Sequence, residues 1–505
     1  INYGGGVDSS QRFKFEYNQL ISGGALSSDL TVDSKFEAQN YNKWFTDASL
    51  VTSLNKNINA KFSINFDSAF ETSKNYIQTT NPNNELSYTS SLATKINLNG
   101  YNLRKIDDKL LINFSIYQTN QNDDDNSSLP TVLPYIDYNS GFYEYNNFSY
   151  QNQFIFYNIF RDKKTSDYAK EQKKLSHNLS FSKNYLKFKS NIIFEGQLYN
   201  QFYNTIKKDV EENNVYSGNH FRSFPIIGSR IETPFKFKNN LFDFTYKPSI
   251  SLILSPGKSN SEKISNEDSA LNTYSANNEI SLNRYTGSDR LDNSKRLVTS
   301  FNINNSSLNM NVSQSYEFTN NSNFHKDSGN EDNLGDLLGN LKYNRNLNNF
   351  EYNLRYDHSK RYLKQQNINY QNINNFGIIE LSYLDQKSAA DTVVNEDLET
   401  LNYKFISKKI NKYSKISLDG LYDLKKSINT EYGLSYNYFD ECFGVSLEFN
   451  RKSYTEDTLK PQDVLTIMFS CKNIGSYKSS NLAVSENDKQ DIKWENESVE
   501  NDLFN

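Results

Sequence analysis

Apolar and polar side chains alternate along most of this chain, in runs of about nine to eleven residues, and no other feature restricts its fold as strongly. Such alternation places successive side chains on opposite faces of a β-strand. In the run 350–356 every second residue is Phe, Tyr or Leu, whereas Glu351, Asn353 and Arg355 occupy the positions between them. The core of a soluble sheet would not accept that charged face. The same pattern recurs at 13–18, 186–198, 432–438 and 443–450.

The length of these runs separates two all-β architectures. Strands of soluble proteins average roughly five to six residues, whereas a tilted strand that crosses a membrane needs about 9–11. No stretch approaches the roughly 18–20 apolar residues that a membrane-spanning helix requires. The mean hydropathy of -0.78 agrees with a barrel, because only alternate residues of a barrel strand face lipid. We therefore predict an all-β fold, a large antiparallel transmembrane β-barrel of roughly 20–24 strands.

Short and long connections alternate between the predicted strands. The segment 346–349 is a tight turn, and Asp440 with Glu441 marks another. Because external loops of such barrels are longer than periplasmic turns, we expect extracellular loops and periplasmic termini. Residues 1–475 are predicted to form the barrel, and the acidic stretch 476–505 a disordered periplasmic tail. The long polar connections are predicted at 119–131, 204–222, 256–279, 319–337 and 385–399.

Composition removes several classes of function. The net charge of -5 and the absence of a basic stripe argue against nucleic-acid binding. Two cysteines are too few to stabilise a domain of 505 residues. No spacing indicates a metal site, a cofactor site or a catalytic residue, and the chain is predicted not to be an enzyme. The histidines are isolated at His177, His220, His325 and His358.

One pair of motifs resembles a known family. Asn266, Glu267, Asp268 and Ser269 are followed by a second motif at 283–290 that ends on Asp289 and Arg290. Together they are similar to the C-terminal barrel of the LptD (OstA) family, of the alphaproteobacterial type, which assembles lipopolysaccharide in the outer membrane. Shared order strengthens the resemblance. Further segments follow the order of that family at 129–138, 224–234, 246–256, 440–445 and 473–475.

The resemblance implies a non-enzymatic outer-membrane translocon. It would insert lipopolysaccharide into the outer leaflet through a polar lumen and a lateral seam between strands. Implied partners are an LptE-like plug lipoprotein, the barrel-assembly machinery and lipopolysaccharide itself. A periplasmic bridge for lipopolysaccharide would bind the barrel protein through an N-terminal jellyroll. We expect that jellyroll and the first barrel strands of the family to have no counterpart in this sequence. The alternative is a passive porin or a plugged receptor for nutrient uptake, and a third interpretation is a soluble solenoid or adhesin.

The resemblance also suggests roles for particular residues. A loop that folds into the lumen and contacts a plug would use six polar residues of the two motifs. The alternative is a solvated external loop. The last strand at the lateral seam would contain Val464, Leu465, Thr466, Ile467, Met468 and Phe469. Cys442 matches the position of a C-terminal cysteine that forms a disulfide in the family, while the parity of Cys471 points it to lipid. The loop residues are Asn266, Glu267, Asp268, Arg284, Asp289 and Arg290.

Overall fold

The structure is a computed structural model, and it describes most of the chain between Asn2 and Ala483. All statements below concern these residues. The described ranges are 2–5, 10–35, 47–74, 76–77, 86, 89–120, 125–211, 214–238, 243–270, 278–319, 333–387, 397–408, 410, 413–440, 442–452, 462–471, 475–478 and 482–483.

Strands account for almost all of the secondary structure, as the alternation predicts. In chain order they are β1 (Asn2–Gly5), β2 (Ser10–Ile21), β3 (Gly24–Lys35), β4 (Asp47–Asn57), β5 (Phe62–Glu71), β6 (Ser91–Tyr101), β7 (Lys109–Thr119), β8 (Thr131–Asn139), β9 (Tyr143–Tyr145), β10 (Phe148–Phe160), β11 (Glu171–Lys187), β12 (Ser190–Glu211), β13 (Asn214–Glu232), β14 (Phe235–Lys238), β15 (Asp243–Leu254), β16 (Lys295–Asn304), β17 (Leu308–Glu317), β18 (Leu337–Arg345), β19 (Asn348–Asp357), β20 (Tyr362–Ile373), β21 (Gly377–Gln386), β22 (Leu398–Ser407), β23 (Ser414–Asp423), β24 (Ile428–Phe439), β25 (Phe443–Lys452), β26 (Gln462–Cys471), β27 (Gly475–Lys478) and β28 (Leu482–Ala483). A short 3₁₀ helix, Asn126–Ser128, precedes β8.

The strands form one antiparallel sheet, and the large β-barrel predicted from the sequence is confirmed. Five of the 28 strands have two to four residues, so 23 have nine or more, within the predicted 20–24. Each long strand pairs with the next long strand along the chain, from β2 to β26. The described pairings include none that joins β1 or β2 to β26, β27 or β28.

Most side chains on the inner face of the sheet are polar, apart from a buried apolar cluster that includes Ile226, Ile253 and Val298, and apolar side chains cover the outer face. On β11 the inner positions include buried Gln172 and Lys174, whereas the side chain of Leu175, on the outer face, is 56% exposed. On β16 the inner Arg296 is buried, and the outer Phe301 is exposed. This distribution is the reverse of a soluble protein and is typical of a barrel with a wet interior and a lipid-facing wall.

Two details of the predicted strand pattern were wrong. The run 186–198 is not one strand, because a two-residue turn at Phe188 and Lys189 separates β11 from β12, with φ of 51° and 61°. The long loop predicted at 204–222 is a hairpin of β12 and β13 instead. Its polar residues face neighbouring loops rather than an apolar core, for example in the ion pair of Lys164 with Asp209.

The other predicted connections are confirmed. The tight turn near 346–349 and the turn at Asp440 join neighbouring strands, and long segments connect β7 to β8, β15 to β16, β17 to β18 and β21 to β22. β27, which begins at Gly475, and β28 lie almost wholly within 476–505, the stretch predicted as a disordered tail, and residues 484–505 of that stretch lie outside the described residues. Among the described residues, no helix is long and apolar enough to cross a membrane.

Candidate functional site

The segment 255–294, between β15 and β16, folds against the inner face of the barrel wall; we call it the inner loop. Its described parts are 255–270 and 278–294. It contains both motifs that the sequence singled out. Two of these motif residues are buried in the structure, since Asp289 and Arg284 are 0% and 2% exposed.

Asp289 is the centre of a first anchor, on β10 to β12. Its carboxylate accepts hydrogen bonds from the hydroxyls of Tyr157 at 2.9 Å and Tyr203 at 3.1 Å. It also accepts bonds from the backbone N–H groups of Glu267 and Asp268, at 2.9 and 3.1 Å. A buried carboxylate is stable only with this degree of satisfaction. Asp289 therefore joins the two motifs to each other and to the wall.

Lys174 of β11 supplies the positive charge of this anchor. Its Nζ lies 2.6 Å from a carboxylate oxygen of Asp268 and 2.8 Å from one of Asp289. Burial alone would raise the pKa of Asp268, but the charge and hydrogen bond of Lys174, with those of Ser269 and the backbone of Asp289, lower it below its ordinary value. Burial raises the pKa of Asp289, against the opposing charge of Lys174. One ammonium thus balances two carboxylates.

Glu267 forms a separate contact with the wall. It makes a bidentate ion pair with Arg161, which follows β10, at 3.0 and 2.7 Å. Both side chains are almost fully buried. Paired N–H donors in a plane fix the carboxylate in orientation as well as in position. This pair holds the first motif at the end of β10.

A second anchor joins the inner loop to β16 and β17. Arg284 donates to Asp292 at 2.7 Å and to Glu317 at 2.7 Å, and lies 3.6 Å from Glu279. Arg296 adds a contact with Asp292 at 3.1 Å. Burial acts to lower the pKa of Arg284, but the surrounding carboxylates raise it well above its ordinary range. Three carboxylates and two guanidinium groups therefore share one dry cluster.

The remaining predicted loop residues have smaller roles in the geometry. Asn266 closes a local turn by hydrogen bonds with the backbone of Ser269. Arg290 is half-buried, and burial lowers its pKa. Gly287 has a φ of +68°, and a Cβ there would lie 2.2 Å from the carbonyl oxygen of Asp268. Only glycine fits this position.

The wall residues that hold the loop were not singled out by sequence analysis. The alternation around Leu175 places Lys174 on the polar face, but it gives no information about a partner so far along the chain. Arg222 of β13 likewise donates to the carbonyl oxygen of Ser288 at 2.7 Å. Gln172 donates to the carbonyl of Ser265 and accepts from its N–H, both at 2.7 Å.

The predicted seam residues lie on β26, whose described neighbours in the sheet are β25, β27 and β28. Val464 to Phe469 pair with β25, and the other side of β26 pairs with β27 at Met468 and Phe469 and with β28 at Val464 and Leu465. Thr466 is buried, whereas Phe469 is exposed. Cys442 is an exposed free thiol in the structure, and Cys471 is a partly buried one.

The neighbouring part of the interior, along β18 to β22, has no docked loop among the described residues. A groove of about 460 Å³ lies along its polar inner wall. Lys342 and Glu351 form an ion pair of 3.1 Å there, and Gln371 donates to Glu380 at 2.7 Å. Eleven of its thirteen lining residues carry amide, hydroxyl or charged groups, which can form hydrogen bonds with a polar ligand.

Comparisons with known proteins give one family. A family model described as LptD, LPS transport system D, matches residues 47–428, which is well over half of the 505 residues. No curated protein matches the chain.

Solved structures with some similarity include siderophore receptors. The ferric enterobactin receptor of Pseudomonas aeruginosa, in complex with enterobactin, shares 8% identity at a TM-score of 0.34, over 92% of this chain and 73% of that chain. The siderophore receptor PirA of the same organism shares 9% identity at a TM-score of 0.28, over 92% of this chain and 71% of that chain. Both TM-scores lie below the level that indicates a shared fold.

Proposed function

This chain belongs to the LptD family, and from that premise we propose that it is the outer-membrane barrel through which lipopolysaccharide is assembled into the outer leaflet. The proposed orientation has the long loops outside the cell and the short turns in the periplasm. The proposed activity is transport, without a chemical step. Its cargo combines sugars and phosphates with acyl chains, and these parts need different surroundings.

The inside-out distribution of side chains is the observation that carries the proposal. Charged and amide groups on the inner face, such as Lys342, Glu351 and Gln371, suit a glycan and its phosphates, whereas hydrocarbon suits the acyl chains. The groove along β18 to β22 is one part of the interior that the inner loop leaves open. A glycan in this groove and acyl chains leaving through a strand seam would each remain in a favourable medium.

The inner loop supports a transport barrel better than a passive porin. It fills the interior along β10 to β17 and is fixed there by buried charges such as Lys174 and Arg284. A general diffusion pore needs an open water-filled lumen. Along β10 to β17 the chain's own loop occupies that space instead. The porin and the nutrient receptor remain alternatives that the experiment below distinguishes.

The implied partners are part of the proposal. An LptE-like plug lipoprotein would contact the inner loop through its less buried side, where Asn266 and Arg290 lie. Arg284 and Asp289 already pair within this chain, so they would act on such a contact by holding the loop in place. The periplasmic bridge and the barrel-assembly machinery complete the set. We also propose β26 as one side of the lateral seam, and Cys442 as a thiol open to disulfide exchange.

Depletion of this protein in its host, followed by detection of newly made lipopolysaccharide at the cell surface, tests the function. We expect surface delivery to stop and the lipid to accumulate inside the envelope. Normal delivery combined with impaired uptake of a solute would move the protein to the porin or receptor class. Complementation with the unchanged chain is the control, and it should restore delivery fully.

A point variant connects the groove to the same assay. Glu380→Gln with Lys404→Gln removes charge from the open groove without touching the inner loop. A matched pair on the outer wall, Leu175→Ala with Phe202→Ala, changes only lipid-facing residues. We expect the groove pair to slow delivery more than the outer pair, at equal amounts of folded barrel. Equal delivery by both would remove the glycan role of the groove while leaving the family function intact.

A further inference from the structure

One rim of the barrel carries the short turns, and we call it the turn rim. Among the described residues, the large hydrophobic side chains with the highest exposure lie there. It consists of the connections that follow β2, β4, β6, β8, β11, β13, β16, β18, β20, β22 and β24. Among the described residues, every large apolar side chain that is more than 70% exposed lies in one of these connections or at the penultimate position of the strand before it, and no other exceeds 67%. These six residues are Leu20, Ile106, Tyr145, Leu186, Phe188 and Phe376.

Exposed apolar tips of this kind are unusual, because a turn in water prefers Gly, Asn, Asp and Ser. Phe188, the first residue of the two-residue turn between β11 and β12, is 87% exposed. Phe376, in the connection between β20 and β21, is 81% exposed. Burying such a side chain fully is favourable by roughly 1.5–3 kcal/mol. The arrangement recurs at several turns around the rim. This recurrence indicates that the tips share one apolar environment.

Basic residues accompany two of these tips, Phe188 and Ile106. Lys187 and Lys189 flank Phe188, and the Lys187 ammonium lies 5.3 Å from the centre of the Phe188 ring. Arg104 and Lys105 precede Ile106, with Lys105 positioned 4.1 Å from the ring centre of Tyr143. An apolar tip with a cation beside it matches the boundary between acyl chains and anionic headgroups.

The turn rim is continuous with the outer wall. In β14 two phenylalanines alternate with two lysines. Phe237 stacks on Phe244 at 5.0 Å and Phe235 on Tyr246 at 6.2 Å, and Tyr246 in turn stacks on Phe301 at 6.3 Å. One aromatic surface therefore runs from the rim to the exposed face of β16. Whatever surrounds the outer wall can reach the rim without a break.

We propose that the turn rim is a lipid-anchoring collar, whose apolar tips insert into the headgroup boundary of a leaflet of acidic phospholipid while its lysines and arginines bind the headgroup phosphates. This inference rests on the membrane location in the proposed function. A ring that extends from the β2–β3 turn to the β20–β21 turn matches a lipid layer that encircles the barrel, whereas a single protein partner would need a patch on one side. The tips lie about 5–10 Å inside the boundary.

Single-tryptophan fluorescence in vesicles tests the collar. Trp44 and Trp494 are first replaced by Phe, and tryptophan is then introduced by Phe188→Trp or Phe376→Trp. Leu175→Trp reports the outer wall, and Ser259→Trp, in the exposed start of the inner loop, reports water. The purified full chain is reconstituted in phosphatidylglycerol and phosphatidylcholine vesicles, with and without bromine placed high on the acyl chains.

We expect blue-shifted emission and strong bromine quenching at positions 188 and 376, similar to that at 175, and neither effect at 259. Quenching at 175 without quenching at the two tips would overturn the collar while leaving the membrane barrel intact. Tips that stay in water in pure vesicles would instead point to a protein, or a second copy, as the occupant. No quenching at 175 would remove the proposed membrane location itself.

Charge removal tests the headgroup part of the proposal. Lys187→Gln with Lys189→Gln leaves the apolar tip unchanged, and Lys425→Gln with Lys426→Gln is the matched pair at a turn on the opposite rim. Preference for spin-labelled phosphatidylglycerol over phosphatidylcholine should fall roughly fivefold per lysine removed from the collar. High salt should reduce the same preference. Equal losses for both pairs would overturn the assignment of headgroup binding to the turn rim.

Discussion

Lys174 with Asp289 and Lys342 with Glu351 are both lysine–carboxylate pairs on the inner face, with N···O distances of 2.8 and 3.1 Å. Both side chains of the first pair are 0% exposed, whereas those of the second are 46% and 33% exposed. The first pair lies beneath the inner loop and the second in the open groove. The same chemistry therefore has different surroundings in the two halves of one barrel.

The comparison teaches that the inner loop, and not the strands, decides what an inner charge contributes. An exposed pair contributes about 0–1 kcal/mol, because water competes with it. Breaking a buried pair by removing one partner costs about 3–5 kcal/mol, because a charge remains in a dry site. The filled half should consequently be sensitive to single substitutions, and the open half tolerant of them. Four measurements can break or sharpen this contrast.

The largest effect is expected for Lys174→Met. The change leaves Asp268 and Asp289 without their ammonium, and it should lower the free energy of unfolding by about 3–5 kcal/mol. Lys342→Met in the open half is the matched control, with an expected loss of about 0–1 kcal/mol. Urea titration of the barrel in lipid measures both. Similar losses for the two variants would end the contrast between the halves.

The second effect is the coupling between the two anchors of the inner loop. Arg284→Met removes a guanidinium from Asp292 and Glu317, and alone it should cost about as much as Lys174→Met. If either change detaches the whole loop, the double variant should cost about 1–3 kcal/mol less than the sum of the single losses. Simple additivity would show that the anchors are independent.

A smaller effect is expected for Tyr157→Phe, which removes one hydroxyl from Asp289 while Tyr203 and Lys174 remain. Hydrogen bonds to charged groups contribute about 1.5–3 kcal/mol when buried. Tyr383→Phe is the comparison change outside the lumen: its hydroxyl donates to Glu399 at 2.9 Å on the outward face of β21 and β22 and is less buried. Its loss should be below about 1 kcal/mol. A larger loss for Tyr383→Phe would contradict the comparison.

The smallest effect concerns pH. Because the folded pKa of Asp268 is lowered from 3.8, its contribution to stability is complete above that value and is lost as pH falls through the folded pKa. Pepsin should therefore cleave the inner loop faster only well below pH 4 or so, a range below the ordinary carboxyl pKa. Lys174→Met should move the onset of cleavage to higher pH. An unchanged onset would show that Lys174 does not hold Asp268.

The strands and the place of the inner loop were predictable from the sequence for separate reasons. Alternation in 350–356 gives the two faces directly, and the motifs at 266–269 and 283–290 indicated the loop. The turn at Phe188 escaped detection because it lacks the Asn or Gly that such turns favour. The hairpin at 204–222 escaped because polar residues occupy both of its faces, so that no apolar alternation marks it.

The partners of the motif residues were not predictable. Asp289 and Lys174 lie 115 positions apart, and many inner lysines have the same local pattern. Only the curvature of the sheet, which brings β11 opposite the loop between β15 and β16, selects one of them. The exposed apolar residues in turns, such as Phe376, were not predictable either. An isolated apolar residue in a turn has no periodicity from which a role could be inferred.

The separation of Lys174 from Asp289 also sets an order of events during biogenesis. The ammonium of Lys174 is in place when β10 to β12 have paired, yet its counter-charges arrive with residues 268 and 289. Until then the growing sheet has an unbalanced cation on its inner face, where water must remain to solvate it. Docking of the inner loop expels that water and closes a loop of 115 residues, and because closing so long a loop costs entropy, we expect docking to follow the pairing of β10 to β12.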